Sequence, residues 1–286
     1  MSFAIVVDSV ADLSEEECAR FGITSVPLSV EVGGETFKDQ AEISSEEFYD
    51  KMIASDTLPK SSQPSPSEFM DIYNALASEG ADAIHIAAVL SGTSESSNLA
   101  ANQVEVPVEV IDSFNACSGQ GLLALLACEM RDAGASAQEC AQAIKDARAH
   151  TRFFIACGTL DNLLAGGRLS AEEVDAATLL DIKPMMSFDE RGVLKAFDKA
   201  KGMNGVIKKY VEKLKEITED EGIQRVRFCH TRNEKGVEKL KRALEQAGID
   251  YIDCGTCSCG ATVSTHLGMG ALGMGVIPDS LFPHKE

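Results

Sequence analysis

The stretch Ala4-Ile5-Val6-Val7-Asp8-Ser9 is a short apolar run that ends on two polar residues. Four apolar residues in a row predict a strand that is buried on both faces. The segment Ser14-Glu15-Glu16-Glu17 then has the pattern of a capping box, so a helix is expected to begin there and to end at Gly22. A buried strand that leads directly into a helix is typical of a βαβ unit, and hence of a parallel sheet.

The same alternation continues to about residue 150. Apolar runs predict further strands, and capped or amphipathic segments between them predict helices. The predicted strands are 25–32, 83–89 and 107–111. One helix is predicted to begin at residue 45, and four others are predicted over 66–78, 93–101, 118–133 and 136–149. We therefore expect an α/β domain with a parallel sheet over residues 1–150.

The pattern changes after His150. Two extended segments, 184–188 and 193–197, flank Asp189-Glu190-Arg191-Gly192, which is a hairpin signal. Other strands are expected at 152–157, 225–229 and 249–254, and helices at 161–165, 206–217 and 235–247. A hairpin among helices predicts a second domain over residues 151–286, of the α+β class with a mixed sheet.

Composition and charge limit the classes of function. The chain has 286 residues, 44% of them hydrophobic, and a net charge of −19. Phosphate-binding surfaces need clustered Lys and Arg, so this balance argues against a nucleic-acid partner. The longest wholly apolar run, Leu122–Cys128, is far shorter than the roughly 18 residues that cross a membrane. Because no basic segment precedes the first apolar run either, we expect a cytoplasmic protein without stable membrane insertion.

Positive charge is concentrated in one part of the chain. Residues 191–245 contain 15 Lys and Arg against 9 Asp and Glu, a net of +6, which leaves −25 for the rest. Such lysines are typical of solvated helix faces, and a docking surface for an acidic partner is the alternative interpretation.

Hydroxyl side chains follow several predicted strands. Asp8-Ser9, Ser91-Gly92-Thr93 and Asp112-Ser113 each stand at the carboxyl end of a strand, where parallel sheets bind their ligands. Ser61 and Ser62 lie in a serine- and proline-rich loop shortly before the strand that leads to Ser91.

The turn before the helix at Thr93 is suited to a small anion. A helix N-terminus offers free N–H groups, and Gly92 would let the anion approach the backbone. The alternative is that Ser91 only caps the helix. The common phosphate-binding glycine patterns are missing, and Ser91 does not stand in the GxSxG motif of serine hydrolases. A carboxylate needs few donors and fits a cluster of hydroxyls with one histidine. A hydrolase or transferase that uses Ser91 and His266 stays open as an alternative.

The nine cysteines are an odd number and lie mostly in apolar segments, which predicts reduced thiols. Cys254, Cys257 and Cys259, with His266 seven residues later, suggest a Cys₃His metal site and hence a metal-binding regulator. Structural zinc sites usually pair two separate ligand clusters, so plain thiols are favoured. We therefore expect neither a metal nor a cofactor.

Motifs along the chain together resemble the DegV family, the fatty-acid-binding proteins that serve bacterial fatty acid kinase. The matching stretches, in order, are Ile5-Val6-Val7-Asp8-Ser9 with Ala11-Asp12-Leu13, Val26-Pro27-Leu28, Ser62-Gln63-Pro64-Ser65, Leu90-Ser91-Gly92-Thr93, Asp112-Ser113, Leu160-Asp161-Asn162-Leu163 with Gly166-Gly167-Arg168, Ile182-Lys183-Pro184, and His266 with the glycines that follow it. Each motif is short, but their common order is specific.

The resemblance implies two α/β domains that enclose a long-chain fatty acid, and no catalysis by this chain. It implies that the carboxylate is held by Ser61, Ser62, Ser91 and His266. The partner it implies is the catalytic subunit of an ATP-dependent fatty acid kinase, which makes an acyl phosphate on the bound lipid. Three further residues match family positions that surround the site or contact the partner: Thr93, Arg168 and Lys183. Ser61 stands where the family usually has Thr, and Ser94 where an aromatic residue is common, which leaves the chain-length preference open.

Overall fold

The computed structural model describes residues 3–78, 80, 82–88, 91–168 and 182–283. The strands are β1 Ala4–Asp8, β2 Ile23–Val26, β3 Ser29–Val32, β4 Glu35–Lys38, β5 Lys60–Ser62, β6 Ala83–Ala87, β7 Val108–Asp112, β8 Arg152–Ala156, β9 Ile182–Phe188, β10 Leu194–Lys201, β11 Gln224–His230, β12 Tyr251–Ser258 and β13 Leu272–Pro278. The α-helices are α1 Glu15–Phe21, α2 Ser45–Ala54, α3 Pro66–Ser78, α4 Thr93–Ala101, α5 Cys117–Asp132, α6 Ala137–Ala147, α7 Asp161–Ala165, α8 Gly202–Glu221, α9 Glu234–Gln246 and α10 Ala261–Leu267.

Two larger sheets form the framework of the chain. The first is wholly parallel with the order β2-β1-β6-β7, and its central strands are buried throughout or nearly so. The second has the order β10-β9-β8-β13-β11-β12 and is mixed, since only β11 and β12 run parallel. The predicted fold class, a parallel α/β sheet followed by a mixed α+β sheet, is thus confirmed. The predicted boundary between domains 1–150 and 151–286 stays a prediction.

Helix α5 lies between the two sheets. Its residues from Cys117 to Cys128 are all buried, and it packs against β1 and β6 on one side and β8, β11 and β13 on the other. Gly275 on β13 makes this approach possible, because a Cβ there would lie 2.7 Å from the backbone carbon of Ser118. The long apolar run in this helix therefore serves both sheets.

A third, small antiparallel sheet with the order β4-β3-β5 corrects the prediction in two places. The extended run 25–32 is two strands in different sheets, and Pro27, which has no N–H to donate to a ladder, lies between them. The supposed loop around Ser61 and Ser62 is strand β5, in which Ser62 pairs with Ser29. Strands β4 and β13 and helix α10 were not predicted from the sequence.

Two predicted features lie outside the described residues: Val89 at the end of a strand and Leu90 of the Ser91 motif. Within the described ranges, none of the helices has the length and apolar character needed to cross a bilayer.

Helix α10 is held at its N-terminus by two buried carboxylates from the first part of the chain. Asp12 Oδ1 accepts from the Gly260 N–H at 2.8 Å. Asp39 accepts from the N–H groups of Ala261 and Thr262 at 2.8 and 3.1 Å. These are backbone donors that a helix leaves without partners, so the two carboxylates fix where α10 begins.

Arg227 on β11 makes a second junction across the fold. It is 1% exposed, and its guanidinium donates to both carboxylate oxygens of Glu17 on α1 at 2.6 and 2.8 Å. It also donates to the carbonyl oxygens of Asp12 and Cys254. A fork of this kind holds a buried cation against its carboxylate in fixed geometry, although Nε of Arg227 has no hydrogen-bond partner among the described residues.

We expect Arg227→Met to lower the free energy of unfolding by at least about 2 kcal/mol, because it leaves the Glu17 carboxylate and two carbonyls without their donor. Arg232→Met is the matched control. Arg232 pairs with Glu46 and Asp50 at the surface, and its loss should cost less than about 1 kcal/mol. Denaturant unfolding of both variants measures the difference, and equal effects would show that the Arg227 junction adds nothing beyond a surface ion pair.

Candidate functional site

A cavity of about 390 Å³ opens beside α10, within the size range of small-molecule sites. Both parts of the chain contribute to its wall. The lining residues are Val10, Leu28, Ser61, Ser62, Gln63, Ser91, Gly92, Ala116, Cys117, Phe153, Ile155, Leu163, Arg168, Phe188, Leu194, Thr262, Val263, His266 and Leu267.

Most of this wall is apolar. Phe153 on β8 and Phe188 on β9 stack with their ring centroids 6.0 Å apart, and Leu194 on β10 continues the same surface. Nothing in the sequence distinguishes such residues from ordinary core, which is why sequence reasoning did not name them. A long apolar ligand would gain free energy from this wall by leaving water.

The polar side chains of the wall include the four residues predicted to hold a carboxylate. Ser61, Ser62, Ser91 and His266 all line the cavity, although they come from β5, the turn before α4, and α10. Ser61 Oγ and His266 Nε2 are 2.9 Å apart and form a hydrogen bond across 205 positions of sequence. The structure thus brings the four residues to one cavity, and their role as ligands for a carboxylate stays a prediction.

His266 is a neutral ring with one nitrogen to spare. Burial, and secondarily the charge of Arg168, lower the pKa of His266 to about 4. Its Nδ1 is buried and has no hydrogen-bond partner within the described ranges. Gly166 explains how the ring fits, because a Cβ at that position would lie 2.4 Å from Nδ1. In the tautomer with the proton on Nε2, the ring donates to Ser61 Oγ and leaves the Ser61 hydroxyl proton available to a ligand.

The turn before α4 differs from the prediction in detail. Gly92, not Ser91, is the residue before the helix, and it makes no side-chain cap. The Ser91 hydroxyl instead lies 2.6 Å from Thr93 Oγ1 and accepts from the Thr93 N–H at 3.2 Å. Interpretation of Ser91 as a conventional helix cap is therefore wrong.

The space beside Gly92 is filled by a side chain of the protein. A Cβ on Gly92 would lie 1.7 Å from Gln63 Oε1, and Gln63 Nε2 donates to Ser96 Oγ at 3.0 Å. The glycine thus admits the Gln63 amide where the sequence had suggested an approaching anion. Gln63 belongs to the Ser62-Gln63-Pro64-Ser65 motif of the family, but its place in the wall of the cavity was not predicted.

The three surrounding residues have different positions. Arg168 lines the cavity, and its guanidinium donates to the carbonyl of Gly166 at 2.6 Å. Burial lowers the pKa of Arg168, though as a guanidinium it keeps its charge. Thr93 is fully buried behind Ser91, and Lys183 donates to the carbonyl of Gly158 at 2.7 Å; neither lines the cavity.

Two of the three hydroxyl-bearing strand ends do not reach the cavity. Ser9 donates to Asp39 at 3.0 Å and accepts from the Leu28 N–H, so it supports the anchor of α10. Ser113 is buried and donates to the carbonyl of Asn115 at 2.8 Å. Ser9 and Ser113 thus stabilise the loops in which they lie, and of the three strand ends only the one with Ser91 lines the cavity.

The cysteine cluster is also arranged differently from the sequence pattern. His266 bonds to Ser61 and not to a thiol. Among the described residues, the groups of three whose ligand atoms lie within 4.8 Å of one another are Cys117, Cys229 and Cys259, and Asp12, Cys117 and Cys257. Cys254 belongs to neither group, so the predicted Cys254-Cys257-Cys259-His266 set is wrong as a geometric unit.

Comparison with known proteins decides the family. A family profile described as "uncharacterised protein, DegV family" matches residues 2–279. The chain belongs to the DegV family. A DegV domain-containing protein of Caldanaerobacter subterraneus subsp. tengcongensis is 31% identical, over 95% of this chain and 97% of the relative. A second, from Staphylococcus aureus, is 32% identical over 96% and 98%.

Solved structures of DegV proteins have the same fold. A fatty-acid-binding DegV family protein from Thermus thermophilus superposes with a TM-score of 0.90 at 27% identity, over 97% of this chain and 100% of the other. The fatty acid kinase B3 protein of Streptococcus pneumoniae, solved with linoleic acid, superposes with a TM-score of 0.83 at 25% identity, over 98% and 100%. DegV relatives of known structure therefore include fatty-acid binders.

The environment of His266 predicts an unusual titration. In the ligand-free protein the ring should stay neutral while the pH falls through about 6.5, the ordinary pKa of histidine, because the pKa of His266 is lowered to about 4. NMR of the ring protons during a pH titration measures this, and the His266→Asn variant identifies the signal. A midpoint near the ordinary value would contradict the buried, desolvated ring described above.

Proposed function

We propose that this DegV protein binds a long-chain fatty acid and presents its carboxylate to a separate ATP-dependent kinase, which forms the acyl phosphate. The observation that carries the proposal is the hydrogen-bonded pair Ser61 and His266 in the wall of a cavity that is otherwise mostly apolar. An amphiphile with one small polar end matches such a wall. The fatty-acid-binding relatives of the same fold support this choice of ligand.

The proposed headgroup site supplies hydrogen bonds and one positive charge. A carboxylate that leaves water needs partners, since an unpaired buried charge costs several kcal/mol. Ser61, Ser62 and Ser91 each offer one hydroxyl proton, because His266 in its Nε2–H tautomer donates to Ser61 Oγ and leaves the Ser61 proton free. Arg168 in the same wall adds a cation. The acyl chain would supply most of the affinity, at about 0.8 kcal/mol for each buried methylene before ordering costs.

The proposed role is that of a carrier and not of an enzyme. A serine hydrolase needs a base oriented by a third group, as in the Ser-His-Asp arrangement. Within the described part of the chain, no carboxylate is bonded to His266 Nδ1, and the hydroxyl bonded to Nε2 is that of Ser61, not Ser91. The carrier requires no cofactor, and we expect it in the cytoplasm, where an ATP-dependent kinase works. Turnover of acyl esters by the purified protein would favour the enzymatic alternative.

We expect Ser91→Ala to weaken fatty-acid binding about tenfold or more, because the loss of one donor to a carboxylate costs about 1–3 kcal/mol. The methyl ester of the same fatty acid should bind the wild type poorly for the same reason. Calorimetric titration measures both. Ser94→Ala is the matched control: Ser94 is the second residue of α4 and does not line the cavity, so its variant should bind like the wild type.

Equal affinities for the acid and the ester would contradict the proposed headgroup site, even if both bound tightly. The same conclusion would follow if neither Ser91→Ala nor His266→Ala lost affinity while both stayed folded.

The proposed docking surface for the kinase lies on the edge strand β10. Lys199 and Lys201 are exposed there, and Ala200 between them pairs with Lys183 on β9. Lys183 in turn bonds to Gly158, just before the helix α7 that leads to Arg168. Much of the remaining positive charge of residues 191–245 is held in ion pairs or buried, as with Arg225 and Arg227. The two lysines therefore give the positive segment an exposed edge on the same strand whose other end, at Leu194, lines the cavity.

We expect the double variant Lys199→Glu and Lys201→Glu to weaken association with the kinase, and association of the wild type to weaken as salt rises. The matched control reverses Lys235 and Lys239, which are also exposed but belong to α9, a helix that packs on β11; three strands of the sheet separate β11 from β10. Surface-binding kinetics at several salt concentrations measure the on-rates. Association that is insensitive to salt, or reduced equally by both double variants, would contradict a local docking surface on β10.

A further inference from the structure

Four buried thiols that are far apart in sequence meet next to the cavity. Cys117 begins α5, Cys229 lies on β11, and Cys257 and Cys259 stand at the end of β12 and just after it. The sulfurs of Cys117, Cys229 and Cys259 lie within 4.8 Å of one another, and those of Cys117 and Cys259 are 3.8 Å apart. Cys117 also lines the cavity, so the cluster touches its wall.

The spacing of these sulfurs is that of ligands around one metal ion. Zinc–thiolate bonds of about 2.3 Å in tetrahedral geometry place two sulfurs about 3.8 Å apart. A disulfide needs the sulfurs at about 2.05 Å, well inside the separation that the structure shows. The described cysteines are all free, and the three clustered ones are fully or almost fully buried. The fold therefore holds three thiols at coordination distance without joining them.

A carboxylate oxygen without a partner lies at the same place. Asp12 Oδ1 accepts from Gly260, but Asp12 Oδ2 is buried and makes no hydrogen bond of normal geometry within the described ranges. Asp12 also forms a second group of possible ligands with Cys117 and Cys257, again within 4.8 Å. The Cys117 thiol is within reach of this carboxylate but is only a weak donor, so the buried oxygen lacks a strong hydrogen-bond partner.

The backbone at Cys117 gives a third, independent indication. Cys117 has a φ of +50°, in the left-handed region that non-glycine residues rarely adopt. Such a conformation costs of order 1–3 kcal/mol and persists where the surroundings require it. Here it occurs at the one thiol that belongs to both groups of ligands.

We infer that Cys117, Cys229 and Cys259 form a three-thiolate binding site for a soft divalent cation, Zn²⁺ in the first instance, with Asp12 and Cys257 next to it on the side of Cys117. Thiolates select soft ions, and buried charge is costly. Three thiolates leave a net charge of −1 with a divalent ion but −2 with a monovalent one, which favours Zn²⁺ over Cu⁺. The site differs from the Cys254–Cys259 set that the sequence suggested, since it excludes Cys254 and recruits Cys117 and Cys229.

The site would connect the wall of the cavity with the helix that carries His266. Cys259 stands two residues before α10, Cys117 begins α5, and Cys229 belongs to the mixed sheet. The segment of Cys259 is already hydrogen-bonded to β11 through the carbonyl of His230, so a bound ion would add a direct link from this pair of segments to the start of α5. Whether or not the chain binds a fatty acid, the metal can be measured by itself.

The test is a titration of the reduced, metal-free protein with Zn²⁺ in competition with a chromophoric chelator. Cd²⁺ then replaces Zn²⁺ as a spectroscopic probe, because thiolate-to-cadmium charge transfer reports sulfur ligands directly. We expect one tightly bound ion per chain and a charge-transfer band in the wild type. Cys229→Ser and Cys259→Ser should each lose the band and the tight binding.

Cys254→Ser is the matched control, because Cys254 is close in sequence but outside the cluster, and it should keep both signals. Cys229 does not line the cavity, so unchanged fatty-acid binding by Cys229→Ser would show that this variant is folded. The inference is overturned if the wild type shows no charge-transfer band, which needs no variant, or if Cys229→Ser and Cys259→Ser bind the ion as tightly as the wild type. Loss of binding in Cys254→Ser would overturn it too, in favour of the local segment.

Discussion

The capture of the N-terminus of α10 by two buried carboxylates is the constraint on which the rest of the site depends. Asp12 and Asp39 belong to the first part of the chain, and α10 lies more than two hundred residues later. The exposed N–H groups of a helix N-terminus must find partners when they are buried, and these carboxylates supply them. Because the helix can begin only there, His266 near its other end is brought to Ser61.

This arrangement explains why a carboxylate site can exist in so apolar a cavity. The anchoring carboxylates are already engaged by backbone donors, while Ser61, Ser91 and His266 line the cavity. Burial keeps the histidine neutral before a ligand arrives, so the empty site carries little charge of its own apart from Arg168. A single headgroup can therefore be bound by directed hydrogen bonds, and the apolar wall remains for its chain.

The sequence predicted the larger elements well because their signals are local. The apolar run at Ile5 and the capping box at Ser14 specify a strand and a helix without help from the rest of the chain. Strand β5 and helix α10 were missed because their partners are distant: Ser62 pairs with Ser29, and the cap of α10 comes from Asp39. Their formation is decided by tertiary contacts, which override weak local propensity.

The residues of the candidate site also fall into those that the sequence predicted and those that it did not. Ser61, Ser91 and His266 were named through a family resemblance, and the fold brings them to one cavity, whereas the aromatic wall could not be told from core. The thiol cluster was predicted with the wrong members, since closeness in sequence suggested Cys254 while the fold assembles residues from three elements.

The proposed binding of a fatty acid is tested most directly by mass spectrometry of lipid extracted from the purified protein. We predict about one unesterified long-chain fatty acid per chain. Extracts that contain no lipid, or only lipids whose carboxyl groups are esterified, would contradict the proposal.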